Sequence, residues 1–395
     1  MPAAGVSKPG RCRAFAAVAC LPFLLISAGV SAVAQDAARG KTTDVSFKSH
    51  DGHEMFGRLT MPASPGLHAV VIYVQTAEAM TADMRRPGPR GSTFNYFDLY
   101  REKLSELSVG FFGYEGRGVR SGETPPRYER IDSDVYNTST LDNKVRDVLT
   151  AVSLVKQQPG VDPSQIFLLG SSEGTLLAAE AAARAPKEIK GLILYAVLSS
   201  TLRDALKYMS ADGNFLMLRK FFDTDKDGKI SQKEFDDDPR RLRRSAMPTV
   251  GFGVFDLDGD GYYTVDEART RVKELRQAID ADNFEIIDGY LAKTAMVSIP
   301  KGWAKDEFAQ SPMWTFLSGL NMPIGLFHGS DDNLTDIEGV RKLEDQARKA
   351  GKTNMEFHYF DGLDHTLGIV EYFVRGTLPE GHKAMFEFVA KQVKK

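Results

Sequence analysis

The chain has two cysteines in 395 residues, Cys12 and Cys20, and both fall within its first 34 residues. Beyond that segment there is no thiol for a disulfide, a nucleophile or a thiolate metal site. Strong charge of either sign is also missing: the formal net charge is −3. The one basic run, "RRLRR" from Arg240 to Arg244, reads as a solvated helix face or linker. With no basic stripe, nucleic acid is not an expected partner. No repeat runs through the whole chain. What remains, 42% hydrophobic and 26% charged residues, is ordinary for a globular protein able to bury a large core.

The first 34 residues differ from the rest. Lys8, Arg11 and Arg13 precede the apolar stretch "AFAAVACLPFLLISAGV", and Ala32-Val33-Ala34 gives a small-x-small pattern. This is the layout of a signal peptide, 1–34, cleaved after Ala34, with an uncleaved anchor as the alternative. Removing 34 residues from 395 leaves 361, and the loss of three positive charges takes the net charge from −3 to −6. The expectation is an exported protein, periplasmic or extracellular, without stable membrane insertion and without disulfides, that must rest on its core.

Next, "TDVSFKSHDGHEMFGRLTMP" alternates around Asp51-Gly52, a hairpin signal. The runs "HAVVIYVQ", "VGFFGYEGRG", "QIFLLG" and "GLILYAVLS" read as buried strands. Between them, "FNYFDLYREKLSEL", "LDNKVRDVLTAVSLVKQQ" and "TLLAAEAAARA" have helical spacing. Strand and helix in alternation predict an α/β fold around a mostly parallel sheet with helices on both faces. From about Thr201 the rhythm stops, and it resumes at "MPIGLFHGSDD". The predicted layout is a core of 35–200 and 322–395 with a helical cap of 201–321 inserted.

Between a strand and a helix lies Gly170-Ser171-Ser172-Glu173-Gly174, the pattern G-x-S-x-G. A serine on such a strained turn needs small residues two before and two after it. The helix start beneath offers N–H groups to a developing oxyanion. Ser172 is the candidate nucleophile, and Ser171 the runner-up if the turn is shifted. Of seven histidines, His50, His53 and His68 precede the serine; His328 and His358 lie in strand patterns; His382 starts the last helix. His365, in the loop "FDGLDHTLG", can swing over the serine as general base. Asp331 and Asp332 are adjacent candidates for the acid that orients it.

With these residues in view, the chain resembles the α/β-hydrolase superfamily, in its bacterial esterase-like branch, over residues 43–200 and 320–395. "YEGRGVRSGE" (Tyr114 to Glu123) is similar to that branch's Y-D-x-R-G-x-G-x-S motif. The resemblance implies a serine hydrolase working through an acyl-enzyme, with the acid in a G-x-x-D spacing, hence Asp332, while Asp331 stays open. It implies oxyanion donors at the N–H groups of Glu173 and, by position, of Ala77, with Thr76 next in line. Where the family has H-G-x-G, this chain has "VQTAE", Val74 to Glu78. The expected function is that of a carboxylesterase, with a small-molecule ester or amide as substrate. A peptidase or amidase, or a non-catalytic calcium-binding module on the same scaffold, are the alternatives. The family element "YEGRGVRSGE" and the cap are expected to line the acyl pocket, with Trp303 and Trp314 as wall or plain core.

Inside the cap, "DTDKDGKISQKE" and "DLDGDGYYTVDE" each fit a calcium loop. The first supplies Asp223, Asp225, Asp227, the Lys229 carbonyl, Ser231 and Glu234. The second supplies Asp256, Asp258, Asp260, the Tyr262 carbonyl, Thr264 and Glu267. Apolar Ile230 and Tyr263 at position 8 suit the strand pairing of a coupled EF-hand pair. Clustered acids call for a cation, and loop size favours Ca²⁺ at two sites. The insertion has little continuous apolar sequence, so the metal is expected to order it; opening of the cap by calcium is the alternative.

Overall fold

The computed structural model describes residues 40–88, 91–295 and 297–393. Residues 1–34, read above as a signal peptide and carrying both cysteines, lie outside the described residues. No described helix is long and apolar enough to cross a membrane. The described chain divides into two units, residues 214–295 and residues 40–213 with 297–393.

The larger unit is built on an eight-stranded sheet. Its strands are β1 (Lys41–Lys48), β2 (Glu54–Met61), β3 (His68–Tyr73), β4 (Gly110–Tyr114), β5 (Val161–Ser172), β6 (Gly191–Val197), β7 (Ile324–Gly329) and β8 (Met355–Phe360). Their order across the sheet is β1-β2-β4-β3-β5-β6-β7-β8. β1 and β2 form the hairpin expected around Asp51-Gly52, and β2 joins β4 antiparallel; every later pairing is parallel. Central strands are apolar along their whole length because helices cover both faces. Val70, Val71, Ile72, Ile166, Phe167, Leu168, Leu192, Ile193 and Leu194 are completely buried. Each such side chain contributes roughly 1.5–3 kcal/mol by leaving water.

The helices that matter for the site are α1 (Asp98–Glu106), α2 (Leu141–Val155), α3 (Glu173–Arg184), α4 (Trp303–Glu307), α5 (Ile337–Lys349) and α6 (Glu380–Val393). The Thr140 hydroxyl caps α2 by accepting from Asn143 N–H at 3.3 Å, and Asp336 caps α5 by accepting from Glu338 N–H at 3.0 Å. Helix α1 starts later than its sequence pattern suggests. Thr93–Asn95 pairs instead with Arg85–Pro87 as a short antiparallel ribbon, so tertiary pairing takes the first residues of the apolar pattern. Helix Leu202–Lys207 and the wide turn Tyr208–Gly213 also belong to this unit.

The smaller unit is shorter than the 201–321 cap read from the sequence. Helix Asn214–Phe222 leads into the first acidic loop, and Gln232–Asp237 leaves it; the second loop is followed by Val265–Arg271. Ile230 pairs with Tyr263 and Ser231 with Tyr262 in a two-strand antiparallel bridge between the loops. Its core is aromatic. Phe235 packs on Phe222, Phe252 and Phe255 at centroid distances of 5.1, 5.5 and 5.4 Å, and Phe255 packs on Tyr263 at 5.0 Å. These rings are spread over short helices, a turn and the bridging strand rather than in a run, which is why a search for continuous apolar stretches undercounts them. The unit therefore has packing order of its own. Phe255→Ala opens a cavity in this core and is expected to cost about 3–5 kcal/mol; circular dichroism in urea should show a separate, earlier transition.

Candidate active site

Strand β5 runs into Ser172 and helix α3 begins at the next residue, so Ser172 is the turn itself. Its φ is 53° and its ψ −128°, a left-handed conformation that costs a side-chain-bearing residue about 1–3 kcal/mol. The flanking glycines allow it. A Cβ on Gly170 would collide with the Gly174 carbonyl, and one on Gly174 would lie 2.8 Å from the Gln75 carbonyl oxygen and 3.1 Å from that of Val74. The Thr175 hydroxyl donates to the Ser172 carbonyl at 2.6 Å and accepts from Leu198 N–H at 3.1 Å, pinning the turn to the end of β6. Ser172 is half-buried. Ser171 is buried and turned the other way: its Oγ meets Tyr73 Oη at 2.8 Å. Tyr73 belongs to a dry hydroxyl cluster in which Tyr195 Oη lies 2.9 Å from Tyr73, 3.2 Å from Tyr96 and 3.4 Å from Tyr100.

The loop after β7 carries the two candidate acids, and only one meets the histidine. Both oxygens of Asp332 lie 2.9 Å from His365 Nδ1. Asp332 is 1% exposed and also accepts from Leu334 N–H at 2.8 Å, Thr335 N–H at 2.9 Å and the Thr335 hydroxyl at 2.6 Å. Burial raises its pKa, but the His365 charge and hydrogen bond outweigh burial and bring it to about 2. Asp331 sits half-buried beside it, its N–H donating to the Leu363 carbonyl at 3.0 Å. The His365 loop is fixed by Asp364, whose carboxylate accepts from the N–H and hydroxyl of Thr366 at 2.9 and 2.7 Å. Burial is the largest influence on the His365 pKa and lowers it, but the charge and hydrogen bond of Asp332, with the charges of Asp364 and Glu78, raise it above its ordinary value. An Nδ1–H facing a carboxylate leaves Nε2 as the acceptor. Among the described residues no hydrogen bond joins Ser172 Oγ to His365.

Four of the other histidines pack or bond elsewhere. His328 is buried, accepting from Val197 N–H through Nδ1 at 3.0 Å and facing the Thr335 carbonyl with Nε2 at 3.1 Å. His358 stacks on Phe327 at 4.7 Å. His382 reaches Tyr100 Oη at 3.3 Å, and His68 bridges the carbonyls of Ser64 and Ser108.

The segment Val74 to Glu78 follows β3 directly and packs against the serine turn. The Gln75 amide donates to the Tyr114 carbonyl at 2.5 Å, and Glu78 pairs with Arg86 at 3.3 Å and with Arg127. Side chains thus fasten a loop that lacks glycine. Ala77 is half-buried there, its carbonyl 3.4 Å from Tyr136 Oη. A cavity beside the loop is lined by Gln75, Thr76, Ala77, Gly116, Arg117 and Lys144, among others. Within "YEGRGVRSGE", Arg117 is buried and grips Asp147 at 2.7 and 2.8 Å and Asp51 at 2.6 Å.

Glu173 carries more than a backbone N–H. Its carboxylate is buried and accepts from Lys144 Nζ at 2.6 Å and Trp303 Nε1 at 3.0 Å. Trp303 is therefore tied to the serine turn, while Trp314, in helix Met313–Leu317, is half-buried. Lys144 and Glu307 escaped the sequence reading. Lys144 left a signal: with Asp147 it sits on the buried stripe of α2, among Val145, Val148 and Val152.

In the smaller unit, the carboxylates of Asp223, Asp225 and Asp227 gather within 4.8 Å of one another, and those of Asp256, Asp258 and Asp260 do the same. Asp223 Oδ1 is buried with no hydrogen-bond partner. Gly228 and Gly261 take φ of +91° and +87° at position 6 of each loop. Glu234 and Glu267 close capping boxes with Ser231 and Thr264 and accept backbone N–H bonds from Thr224 and Leu257 across their loops. Lys229 and Tyr262 each donate N–H to the preceding loop aspartate, at 2.8 Å in both cases.

Among solved structures, the chain is similar to a puromycin-hydrolyzing peptidase of Mycobacterium tuberculosis. The identity is 13% over 91% of this chain and 41% of that one, with a TM-score of 0.50. The strand order and this match agree. The chain has the α/β-hydrolase fold. An esterase of Pyrococcus furiosus matches at 13% identity, 93% of this chain, 95% of that chain and a TM-score of 0.49. DcsB, solved with its substrate analogue, matches at 15%, 90%, 100% and 0.49. No protein-family model matches the chain, and no curated protein matches it either. In this α/β-hydrolase fold, Ser172, Asp332 and His365 all lie just past the carboxyl ends of parallel strands, the end of a sheet where ligands bind.

The electrostatics give a direct check. Proton NMR titration of His365 should return a pKa above 6.5, the ordinary imidazole value. In Asp332→Asn the main raising influence is gone while burial, Asp364 and Glu78 remain, so the pKa should fall from its wild-type value.

Proposed function

We propose that the protein is an exported serine hydrolase that cleaves a small-molecule carboxylic ester, with Ca²⁺ held in its two acidic loops. The observation that carries the reading is a serine strained at φ 53° on a strand-to-helix turn, in a sheet whose next loops carry a buried aspartate bonded to a histidine. Structural serine turns have no need of either the strain or the pair.

In this reading Ser172 Oγ attacks the acyl carbon while His365 Nε2 takes its proton. Asp332 holds the Nδ1–H tautomer and stabilises the imidazolium. The N–H groups of Glu173 and Ala77 hold the oxyanion. Collapse expels the alcohol, protonated by His365; water then enters, loses a proton to Nε2 and releases the acid, restoring Ser172. The Ser172–imidazole hydrogen bond forms with substrate in place. The base must be neutral, and its pKa is raised. The value of kcat/KM should therefore climb with pH through one ionisation above 6.5 and be lost below it.

A fluorophosphonate probe tests the assignment. Covalent labelling is expected in the wild type and none in Ser172→Ala, whose kcat on p-nitrophenyl esters should fall about 10⁶-fold. Folded wild-type protein that resists the probe would instead favour a non-catalytic calcium-binding scaffold. A panel of p-nitrophenyl esters beside aminoacyl anilides separates esterase from peptidase or amidase.

For the loops, the supporting facts are two sets of three converging carboxylates, the unpartnered buried oxygen of Asp223 and the Ile230–Tyr263 bridge. A divalent oxygen-seeking cation would relieve the repulsion and take up that oxygen; Asp223, Asp225, Asp227 and Glu234 would hold one, and Asp256, Asp258, Asp260 and Glu267 the other. Titration calorimetry should find two Ca²⁺ sites, with Glu234→Gln and Glu267→Gln each weakening one. With calcium structural, a chelator lowers Tm, and activity falls only with the fold. Loss of activity well below the melting range would make calcium regulatory.

A further inference from the structure

Ser172 holds its left-handed backbone between two buried neighbours, Ser171 and Glu173. On the Glu173 side the chemistry is unusual. Three side chains from two other helices converge on one buried carboxylate. Lys144 of α2 and Trp303 of α4 donate to the same oxygen, Oε1. Glu307, one turn further along α4, lies within hydrogen-bonding reach of Glu173, and its Oε1 is 3.6 Å from Lys144 Nζ. Glu307 is completely buried, and neither of its oxygens nor Glu173 Oε2 finds a donor elsewhere.

Two carboxylates and one ammonium in a dry site leave one negative charge in excess. A proton kept by Glu307 removes that excess and supplies the O–H that Glu173 Oε2 lacks. The titration directions agree. Burial, then the Glu173 charge, pushes Glu307 well up; Glu173 is pushed up by burial but held below its ordinary value by Lys144. The other ionisable groups facing this cluster are Asp306, whose carboxylate accepts from Leu141 N–H, and the Tyr136 phenol. Tyr136 adds a second tie. Its hydroxyl donates to the Ser298 carbonyl at 2.6 Å, with the Ala77 carbonyl a weak branch at 3.4 Å.

We infer that residues 298–307 form a positioning brace for the oxyanion pocket, with Trp303 and Glu307 fixing Glu173, and Tyr136 linking Ser298 to the Ala77 loop. The inference rests on the serine-hydrolase reading above. Glu173 N–H follows the strained Ser172 peptide, and strain persists only where the surroundings over-determine it. A side chain held by three partners has no rotamer left to relax into, so the amide keeps its aim before substrate arrives. Trp303 and Glu307 touch no reacting atom; they are positioning residues.

The test separates aiming from folding and from substrate binding. Trp303→Phe removes one indole N–H, Glu307→Leu removes the proton donor, and Glu307→Gln keeps an amide donor toward Glu173. For each, kcat and KM on p-nitrophenyl butyrate are measured beside Tm and the affinity of phenylboronic acid, whose tetrahedral adduct on Ser172 puts an oxygen in the pocket. Removing one oxyanion donor outright costs about 10²–10³-fold, so a donor present but misaimed should cost about tenfold. Trp303→Phe and Glu307→Leu should lose about tenfold in kcat and a like factor in boronate affinity, with KM unchanged, and Glu307→Gln should recover both. Should Glu307→Leu fail to fold, Trp303→Phe still decides: folded variant with wild-type kcat and boronate affinity overturns the brace while leaving the hydrolase standing. A rise in KM alone also overturns it, by assigning the segment to substrate binding. Wild-type protein inert to both ester and fluorophosphonate removes the hydrolase and the brace together.

Discussion

The backbone of Ser172 sits at φ 53°, and the site is arranged around keeping it there. A β-strand that ends by feeding a helix must reverse its peptide direction within one residue. A residue with a side chain does so at a cost of about 1–3 kcal/mol. That cost is offset locally. Gly170 and Gly174 clear the space, Thr175 pins the Ser172 carbonyl, and buried polar side chains on either neighbour hold the turn from both sides.

Those neighbours show how a dry interior manages polar groups. Ser171 ends in a cluster of tyrosine hydroxyls, where donors and acceptors alternate and no charge is needed. Glu173 ends among a lysine, an indole and a second glutamic acid, where charge is present and balanced by one retained proton. Asp332 follows a third pattern. It stays ionised because the imidazole and several short donors surround it. Ser171 and Asp332 satisfy the rule that a buried polar atom finds a partner, while Glu307 keeps an oxygen without one.

Much of this was legible in the sequence where the information is local. G-x-S-x-G fixes its own geometry within five residues, and each acidic loop carries its ligand spacing within twelve. The strand runs are legible because a strand covered on both faces has apolar residues at every position. The G-x-x-D spacing of the family resemblance favoured Asp332 but left Asp331 open. What distinguishes them is which carboxylate the Leu334 and Thr335 amides draw toward His365, a property of the folded loop. Glu307 was invisible for a related reason: nothing near it in the chain marks it, and its meaning lies in Glu173 and Lys144, distant in sequence. The rings that pack the smaller unit are scattered over some forty residues of sequence, yet Phe222, Phe235, Phe255 and Tyr263 meet in one core.

The two variable letters of G-x-S-x-G are commonly treated as free. In this chain neither is idle, since one hydroxyl at 171 and one carboxylate at 173 are each committed to a buried network. A library that randomised those two sites to broaden substrate range would mostly return misfolded or slack turns. Diversity is better introduced at Thr76, whose half-buried side chain borders the cavity.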